Sequence, residues 1–296
     1  MADFDVPLFR PDAKDTPMSE FSLRLIVEFA EGDTHIIGTA TVVCGHLAIT
    51  AAHNLDDILT RFGPGARLEG NVKISAYAVR VIQVLPGPAY RVYNVHAVWM
   101  NGESDIAILH LGLQGRSDPD APIDWKQPIV NVVAPPLGSR VAAFGYHSSV
   151  IKRTPNPGGG YHLDIRDQPT TSVGVVEEIL PRGQSAGRFT FPCLRVAARY
   201  DGGMSGGPVY NEAGDLCGII SGSYGVTDGP PISYVTALWP MFRIMITVNH
   251  EGEPTDAHPA LDLALDRLIY TAGLETLDPA WFPGRTLPTS PLPPRR

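Results

Sequence analysis

The feature that most limits the fold of this chain is a series of short runs whose apolar residues recur at every second position. The first run, Phe21 to Phe29, is F-S-L-R-L-I-V-E-F and has the period of a half-buried strand. Similar runs, each separated from the next by Gly, Pro or Asp, are His35–Val43, His46–Thr50, Val72–Val84, Val92–Trp99, Ile106–Leu111, Val130–Val133, Val141–Phe144, Val173–Ile179, Phe189–Val196, Val209–Tyr210 and Leu216–Gly222. Many short strands without alternating helices predict an all-β sandwich or barrel.

Helical periodicity is confined to two segments near the C-terminal end. These segments are Ala237–Val248 and Pro259–Leu274, and we expect the second to pack on the body of the protein rather than to bind a partner. The tail from Pro283 to Arg296 contains five prolines and is expected to be disordered or extended. The 30 Gly and 28 Pro residues of the chain agree with a turn-rich β fold.

Charge and cysteine content exclude several classes of function. The net charge of -8 and the absence of a basic run argue against nucleic acid as a partner. No apolar run approaches the length of about 20 residues that crosses a bilayer, and Met1 to Ser19 lacks the pattern of a secretory signal. Cys44, Cys193 and Cys217 fit neither a disulfide framework nor a zinc site, so we expect buried thiols and a cytoplasmic location.

Three short sequence blocks carry the residues needed for nucleophilic catalysis. Residues 201–208, D-G-G-M-S-G-G-P, place Ser205 among glycines that permit tight turns, so the N–H groups of Gly203 and Ser205 can converge as an oxyanion hole. Serine needs an adjacent base and a group that orients that base. His53 follows a strand in T-A-A-H-N, and Asp105 opens another in S-D-I-A-I-L-H-L.

These blocks resemble the three signature blocks of the trypsin-like serine proteases, and they occur in the family's order of His, Asp and Ser. The separations are 52 residues from His53 to Asp105 and 100 from Asp105 to Ser205. The resemblance implies a serine endopeptidase that acts on protein or peptide substrates through an acyl-enzyme, without metal or other cofactor. The remaining histidines have no metal-ligand spacing such as H-E-x-x-H.

The resemblance also implies a fold and a domain plan. It covers residues 21–248, which would form two six-stranded antiparallel β-barrels of chymotrypsin type, divided near residues 115–135, with C-terminal helices. Residues 1–20 would be an N-terminal extension, and residues 249–296 a C-terminal extension with a helix at about 259–274. By position, Ser221, Gly222 and Ser223 would form the strand that pairs with the substrate backbone, and Ser221 would lie near Asp105.

Two positions before Ser205 bear on activation and on specificity. Met204 stands where secreted members of the family have the aspartate that pairs with a newly cleaved N-terminus, so we expect the loop to form without cleavage or under the control of a regulatory partner. Counting back six positions from Ser205 places Arg199 near the base of the specificity pocket, where a cation would favour an acidic substrate side chain. Insertions before Ser205 would move Tyr200 or Asp201 there instead.

Three alternative interpretations remain open at this point. The sequence G-M-S-G-G also satisfies the G-x-S-x-G pattern of esterase-type hydrolases, although the glycines and Pro208 oppose the helix that must follow. A catalytically silent binding or scaffold module with a protease fold would have the same strands. Asp56 or Asp57, close to His53 in sequence, is a less favoured candidate for the triad acid than Asp105.

Overall fold

Strands dominate the structure, as the sequence pattern predicts. The computed structural model describes residues 9–11, 16–29, 34–56, 77–84, 90–116, 127–224, 231–248 and 254–290. Within these ranges the strands are β1 (Phe9–Arg10), β2 (Ser22–Phe29), β3 (Thr34–Cys44), β4 (Leu47–Thr50), β5 (Tyr77–Val84), β6 (Tyr90–Met100), β7 (Ala107–Arg116), β8 (Val130–Asn131), β9 (Arg140–Pro155), β10 (Tyr161–Leu180), β11 (Cys193–Ala197), β12 (Pro208–Tyr210), β13 (Leu216–Tyr224), β14 (Ile232–Ala237), β15 (Met245–Val248), β16 (Pro254–Pro259) and β17 (Thr271–Ala272).

Strands β2 to β7 form a closed antiparallel barrel in the order β2-β3-β4-β7-β6-β5. Alternate residues point inward because successive side chains of a strand face opposite sides. Leu23, Leu25 and Val27 of β2 are buried there together with Val42 of β3 and Leu109 of β7. This barrel holds the ends of β4 and β7 side by side, since Thr50 pairs with Ala107. His53 and Asp105 lie just beyond that pair.

The other described strands form a nine-stranded sheet and a separate antiparallel pair, β15 with β16. The order of the larger sheet is β12-β9-β10-β11-β14-β13-β8-β17, with β1 on β10 and an additional pairing between β12 and β13. Where the resemblance implies a second barrel of six strands, the structure has this larger mixed sheet. Strands β8 and β17 join it in parallel, whereas the pairs from β9 to β14 are antiparallel.

The predicted C-terminal helices are largely wrong. In place of a helix over Ala237–Val248 the chain has a 3-10 helix at Trp239–Arg243 and strand β15. In place of a helix over 259–274 it has an α-helix only at Leu261–Leu265, and then β17. A positive φ of 60° at Arg267 ends the second helix. The β-branched run Ile246, Thr247 and Val248 favours a strand over a helix.

Other strand boundaries differ in extent. Strands β9 and β10 have 16 and 20 residues, longer than the apolar cores Val141–Phe144 and Val173–Ile179 that predicted them. Their outer halves form a hairpin with many exposed side chains, which hydrophobic periodicity does not detect. Strand β14 was not predicted, and residues 72–76 of the predicted strand Val72–Val84 lie outside the described residues.

Both terminal segments pack on the body of the protein. Phe9 pairs with Ser172 through β1, and the 3-10 helix Pro17–Phe21 buries Met18. The C-terminal segment adds buried side chains to the hydrophobic cluster that contains Trp99 and Phe144, which confirms the expectation that it packs on the protein; these are Leu261, Ala264, Ile269, Leu274, Leu277, Phe282 and Leu287. The described tail residues from 283 to 290 have no helix or strand, and 291–296 lie outside the described residues. The structure as described contains no helix long and apolar enough to span a membrane.

The β9–β10 hairpin reaches across to the first barrel and is held there by polar contacts. Asp167 of β10 accepts two hydrogen bonds from the guanidinium of Arg24, and both side chains are buried. The same guanidinium lies 4.1 Å from the ring centre of Tyr146 in β9. Tyr161 donates to Glu28, which also forms an ion pair with Arg80. These contacts join the barrel to the sheet through the hairpin.

We predict that Arg24→Met lowers the free energy of unfolding by about 3–5 kcal/mol, because Asp167 would be left as a buried charge without its partner. Urea denaturation measures this change. The matched control is Arg166→Met, which removes the exposed ion pair with Asp164, where the side chains are 79% and 43% exposed. That variant should change stability by less than about 1 kcal/mol. Equal effects of the two substitutions would contradict the assignment of Arg24 as the structural link.

Candidate active site

His53 lies at the beginning of a helical turn, residues 53–56, that directly follows the barrel strand β4. A backbone hydrogen bond holds the chain just before it, since the N–H of Ala52 donates to the carbonyl oxygen of Asp105 at 3.3 Å. The His53 side chain is 29% exposed, so one edge of the ring remains accessible. A histidine held this way combines a fixed ring with access from solvent.

Asp105 is a buried carboxylate whose hydrogen bonds connect two distant parts of the chain. It is 6% exposed, and its Oδ1 accepts from the backbone N–H of His53 at 3.0 Å. The Nδ1 atom of the same ring lies 2.9 Å from Oδ2 and 3.0 Å from Oδ1. The hydroxyl of Ser221 in β13 also donates to Oδ2. A buried charge needs hydrogen-bond donors, and both carboxylate oxygens of Asp105 have them.

These contacts select the tautomer of His53. An ionised carboxylate only accepts hydrogen bonds, so the proton of the neutral imidazole lies on Nδ1. The lone pair of Nε2 then faces away from Asp105 and is available to accept a proton. Asp105 is thus the carboxylate that bonds the ring of His53, and the alternative Asp57 lies outside the described residues.

Ser205 joins this group through Ser221. Its hydroxyl donates to the carbonyl oxygen of Ser221 at 3.2 Å, and the residue is half-buried. Within the described residues it makes no hydrogen bond to His53. The side-chain amide of Asn54, the neighbour of His53, donates to the Ser205 carbonyl oxygen at 3.0 Å. The structure thus brings His53, Asp105 and Ser205 into one hydrogen-bonded cluster in which the Ser205 hydroxyl bonds Ser221 and not the imidazole.

The loop that carries Ser205 is held by the first barrel through its carbonyl groups. The N–H of Thr39 in β3 donates to the carbonyl oxygen of Ser205 at 2.9 Å. The hydroxyl of Thr39 donates to the carbonyl oxygen of Gly203, also at 2.9 Å. That hydroxyl also accepts from the N–H of Tyr146 at 3.1 Å. The hydroxyl of Thr41 donates to the Gly206 carbonyl at 2.9 Å. The carbonyls of Gly203, Ser205 and Gly206 therefore all face the barrel.

Two N–H groups of this loop differ from its other backbone groups. Those of Gly203 and Ser205 donate to no acceptor among the described residues, whereas the neighbouring N–H of Met204 donates to Asp201 at 3.1 Å. Gly203 has a φ of 93°, and a Cβ there would lie 2.6 Å from the carbonyl oxygen of Tyr146, so only glycine fits. Gly203 and Ser205, on either side of Met204, thus each have an N–H group that can donate to a negatively charged oxygen.

The expected substrate-binding residues lie on both sides of this cluster. Gly222 and Ser223 follow Ser221 in β13 and are half-buried. Arg199 differs from the expectation of a cation at the pocket base. Its side chain is 57% exposed and forms a two-bond ion pair with Asp201, at 2.9 and 2.8 Å. Its guanidinium lies 4.3 Å from the ring centre of Phe9, so it points to the surface of the sheet.

Several residues in this region were not identified from the sequence. Thr39, Thr41 and Asn54 hold the loop, but a hydroxyl or amide in an apolar strand has no signature that distinguishes this role from ordinary burial. The three cysteines are buried and unpaired, as predicted. Burial raises the pKa of Cys193 to about 12, so this thiol is not a nucleophile at neutral pH. Among the described residues, no group of three or more His, Cys, Asp or Glu is arranged to hold a metal ion.

We predict that Gly206→Ala lowers the free energy of unfolding by about 3 kcal/mol. Gly206 has a φ of 86°, and a Cβ there would lie 2.1 Å from the carbonyl oxygen of Thr39, so the substitution both strains the backbone and forces loop and barrel apart. Gly202→Ala is the matched control, since nothing lies within 4 Å of the added Cβ. Thermal unfolding of both variants should show a loss for Gly206→Ala alone; a stable Gly206→Ala protein would contradict the observed packing.

Solved structures of proteases are among the proteins similar to this chain. An inactive form of Rv3671c from M. tuberculosis H37Rv is 18% identical, with 79% of this chain and 91% of that chain covered and a TM-score of 0.41. The apo MamO protease domain from Magnetospirillum magneticum is 17% identical, with coverages of 74% and 93% and a TM-score of 0.43. Deg5 is 16% identical, with coverages of 74% and 84% and a TM-score of 0.45.

A search of curated proteins finds no sequence that matches this chain. The model of the trypsin-like peptidase domain family matches residues 38–219, a span that includes His53, Asp105 and Ser205. This span is more than half of the chain. The chain therefore belongs to the trypsin-like peptidase family.

Proposed function

We propose that this protein is a serine endopeptidase in which His53, Asp105 and Ser205 form the catalytic triad. The observation that carries the proposal is the set of hydrogen bonds around Asp105, which joins the imidazole of His53 to Ser221 and, through the Ser221 carbonyl, to the Ser205 hydroxyl. An esterase-type site is disfavoured because strand β12, and not a helix, follows Ser205. The substrate is a protein or peptide, in keeping with the family.

The proposed reaction begins when the Ser205 hydroxyl turns from Ser221 to His53. Nε2 takes the hydroxyl proton as the serine oxygen bonds to the carbonyl carbon of a peptide, and Asp105 stabilises the resulting imidazolium. The protonated imidazole then gives this proton to the departing amine, which leaves an ester on Ser205. His53 next deprotonates a water molecule that attacks the ester, releases the carboxylic acid and restores the serine.

The N–H groups of Gly203 and Ser205 are the proposed oxyanion donors. Each such donor contributes on the order of 3 kcal/mol of transition-state stabilisation. Thr39 supports the loop that carries these donors, because it binds the carbonyls of Gly203 and Ser205 on either side of Met204. The side chain of Met204 is fully buried against Gly145, in the place of a charged activation switch.

This packing supports a loop that forms without N-terminal cleavage. Control of the loop by a regulatory protein partner is the alternative within this proposal. An assay of the purified, uncleaved protein distinguishes the two, because activity without any partner shows that the loop forms by itself. If activity appeared only after cleavage of the N-terminal segment, the proposed uncleaved mode of loop formation would be wrong.

The proposed architecture has two barrels, with the site between them. In the nine-stranded sheet, β12 pairs with both β9 and β13, which supports a second barrel made of β9 to β14. The protease domain would then span residues 21–248, divided near 115–135, with extensions at both ends. A cytoplasmic location stays a prediction, supported by the three unpaired cysteines.

The proposed triad predicts a specific set of losses. Ser205→Ala should lower the rate of casein cleavage by about 10⁶-fold, and Asp105→Asn by about 10⁴-fold because His53 would adopt the wrong tautomer. Labelling by a fluorophosphonate should occur at Ser205 in the wild type and be lost in His53→Ala. Peptide mapping by mass spectrometry measures both cleavage and the site of labelling.

His162→Ala is the control, since this exposed histidine lies on β10 in the outer hairpin. It should retain full cleavage and labelling. Cleavage that persists in Ser205→Ala would refute the triad, whereas folded wild-type protein without cleavage or labelling would favour the silent binding module.

Thr39→Val should lower kcat by about 10- to 100-fold while KM changes little, because the hydroxyl that holds the Gly203 carbonyl is lost although the shape is kept. Thr39→Ser keeps the hydroxyl and should restore most of the rate. Steady-state kinetics on one peptide substrate, together with thermal unfolding, distinguishes this effect from loss of fold. Equal kcat for Thr39→Val and the wild type would contradict the positioning role.

A further inference from the structure

Two segments face each other beside Ser205 and bound the space that a substrate side chain must enter. One is residues 198–202, which lead into the Ser205 loop, and the other is β13 at residues 221–223. Among the described residues, 221–224 pair only with β14, whereas the β12 partner ends opposite Ile219. The second edge of this stretch is thus open to an extended peptide.

A peptide on this edge has little freedom near the serine. Its attacked carbonyl carbon must approach the Ser205 oxygen, and its carbonyl oxygen must reach the N–H groups of Gly203 and Ser205. The residue that carries this carbonyl therefore lies between the 198–202 segment and the 221–223 edge. Its side chain points into the gap between the two segments.

That gap is closed by two serine hydroxyls. Ser223 donates across it to the carbonyl oxygen of Tyr200 at 2.8 Å. Ser233, in the neighbouring strand β14, donates to the carbonyl oxygen of Ala198 at 2.7 Å and is fully buried. Atoms in direct hydrogen-bond contact leave no room for a side chain between them, so the gap has no depth beyond the Ser223 hydroxyl.

The side chains of the facing segment do not supply an alternative pocket. Tyr200 is turned into the hydrophobic cluster that contains Met204 and Val209, and is 3% exposed. Arg199 is turned to the surface, where it pairs with Asp201. Among the described residues, the facing segment therefore supplies neither an apolar cavity nor a free charge at the end of the gap, which disfavours aromatic, basic and acidic side chains alike.

We propose, building on the protease function above, that this enzyme cleaves after small residues, foremost alanine and serine. Ser223 and Ser233 are then the specificity-determining residues, because their hydroxyls set the depth of the gap. The substrate class consists of extended peptides with a small side chain before the bond that is cut. This differs from the acidic preference that a cation at the pocket base would confer.

The test uses the purified full chain and peptides that differ only in the residue before the scissile bond: Ala, Ser, Leu, Phe, Lys and Glu. We expect kcat/KM for Ala and Ser to exceed the others by at least about tenfold. Preference for Leu, Phe, Lys or Glu, with cleavage abolished by Ser205→Ala, would overturn this inference and leave the proposed function intact. No Ser205-dependent cleavage of any peptide would overturn both.

Variants of the two serines provide the second arm. Ser223→Gly and the double variant with Ser233→Gly should raise the Phe-to-Ala ratio of kcat/KM by about tenfold or more, since the gap loses its bridging groups. Ser139→Gly, a serine outside the gap that bonds Pro136, is the matched control and should leave the ratio unchanged. Thermal unfolding checks that each variant is folded. An unchanged ratio in folded variants of both serines would refute their role.

Discussion

The buried carboxylate of Asp105 is the constraint around which the site is organised. A carboxylate on a residue that is 6% exposed is tolerated only with hydrogen-bond donors. Its donors come from His53 and from Ser221, which lies 116 residues after Asp105 in the chain. Satisfying one carboxylate therefore fixes an imidazole and also aligns β13. The carbonyl oxygen of the same Ser221 accepts a hydrogen bond from the hydroxyl of Ser205, so the hydrogen-bond requirement of one carboxylate extends to Ser205.

The loop around Ser205 depends on both structural units. Thr39 and Thr41 of the first barrel bind its carbonyls, while the sheet supplies the contact of Ile220 with the N–H of Gly206 at 2.7 Å. The Arg24 contact with Asp167 ties the same two units together away from the site. Because both the loop and the hairpin cross between the units, a shift of one unit against the other would break several bonds at once. The loop geometry is thus a property of the whole molecule.

The sequence predicted the all-β class because period-two alternation directly reflects which side chains are buried, as in Leu23, Leu25 and Val27 of β2. His53, Asp105 and Ser205 were selected by motif and order, and the structure brings them into one cluster. The failures arose where local pattern and tertiary packing disagree. Leu261 and Leu265 have helical spacing, but only one turn forms before Arg267 reverses the backbone. Counting positions back from Ser205 cannot show that the Arg199 side chain pairs with Asp201 and lies over Phe9, away from a pocket base.

The order of the segments along the chain has a consequence for biosynthesis. The first barrel uses residues 22–116 in six strands that pair among themselves, so it can close as soon as this part has left the ribosome. Ser205 and Ser221 are made much later, and the loop gains its anchors only when β13 can pair with β14 at residues 232–237. The nascent chain therefore carries His53 and Asp105 without Ser205 until a further 100 residues, counted from Asp105 to Ser205, have been made. The hydrogen bonds that join Ser205 and Ser221 to Asp105 can therefore form only after β14 has been synthesised.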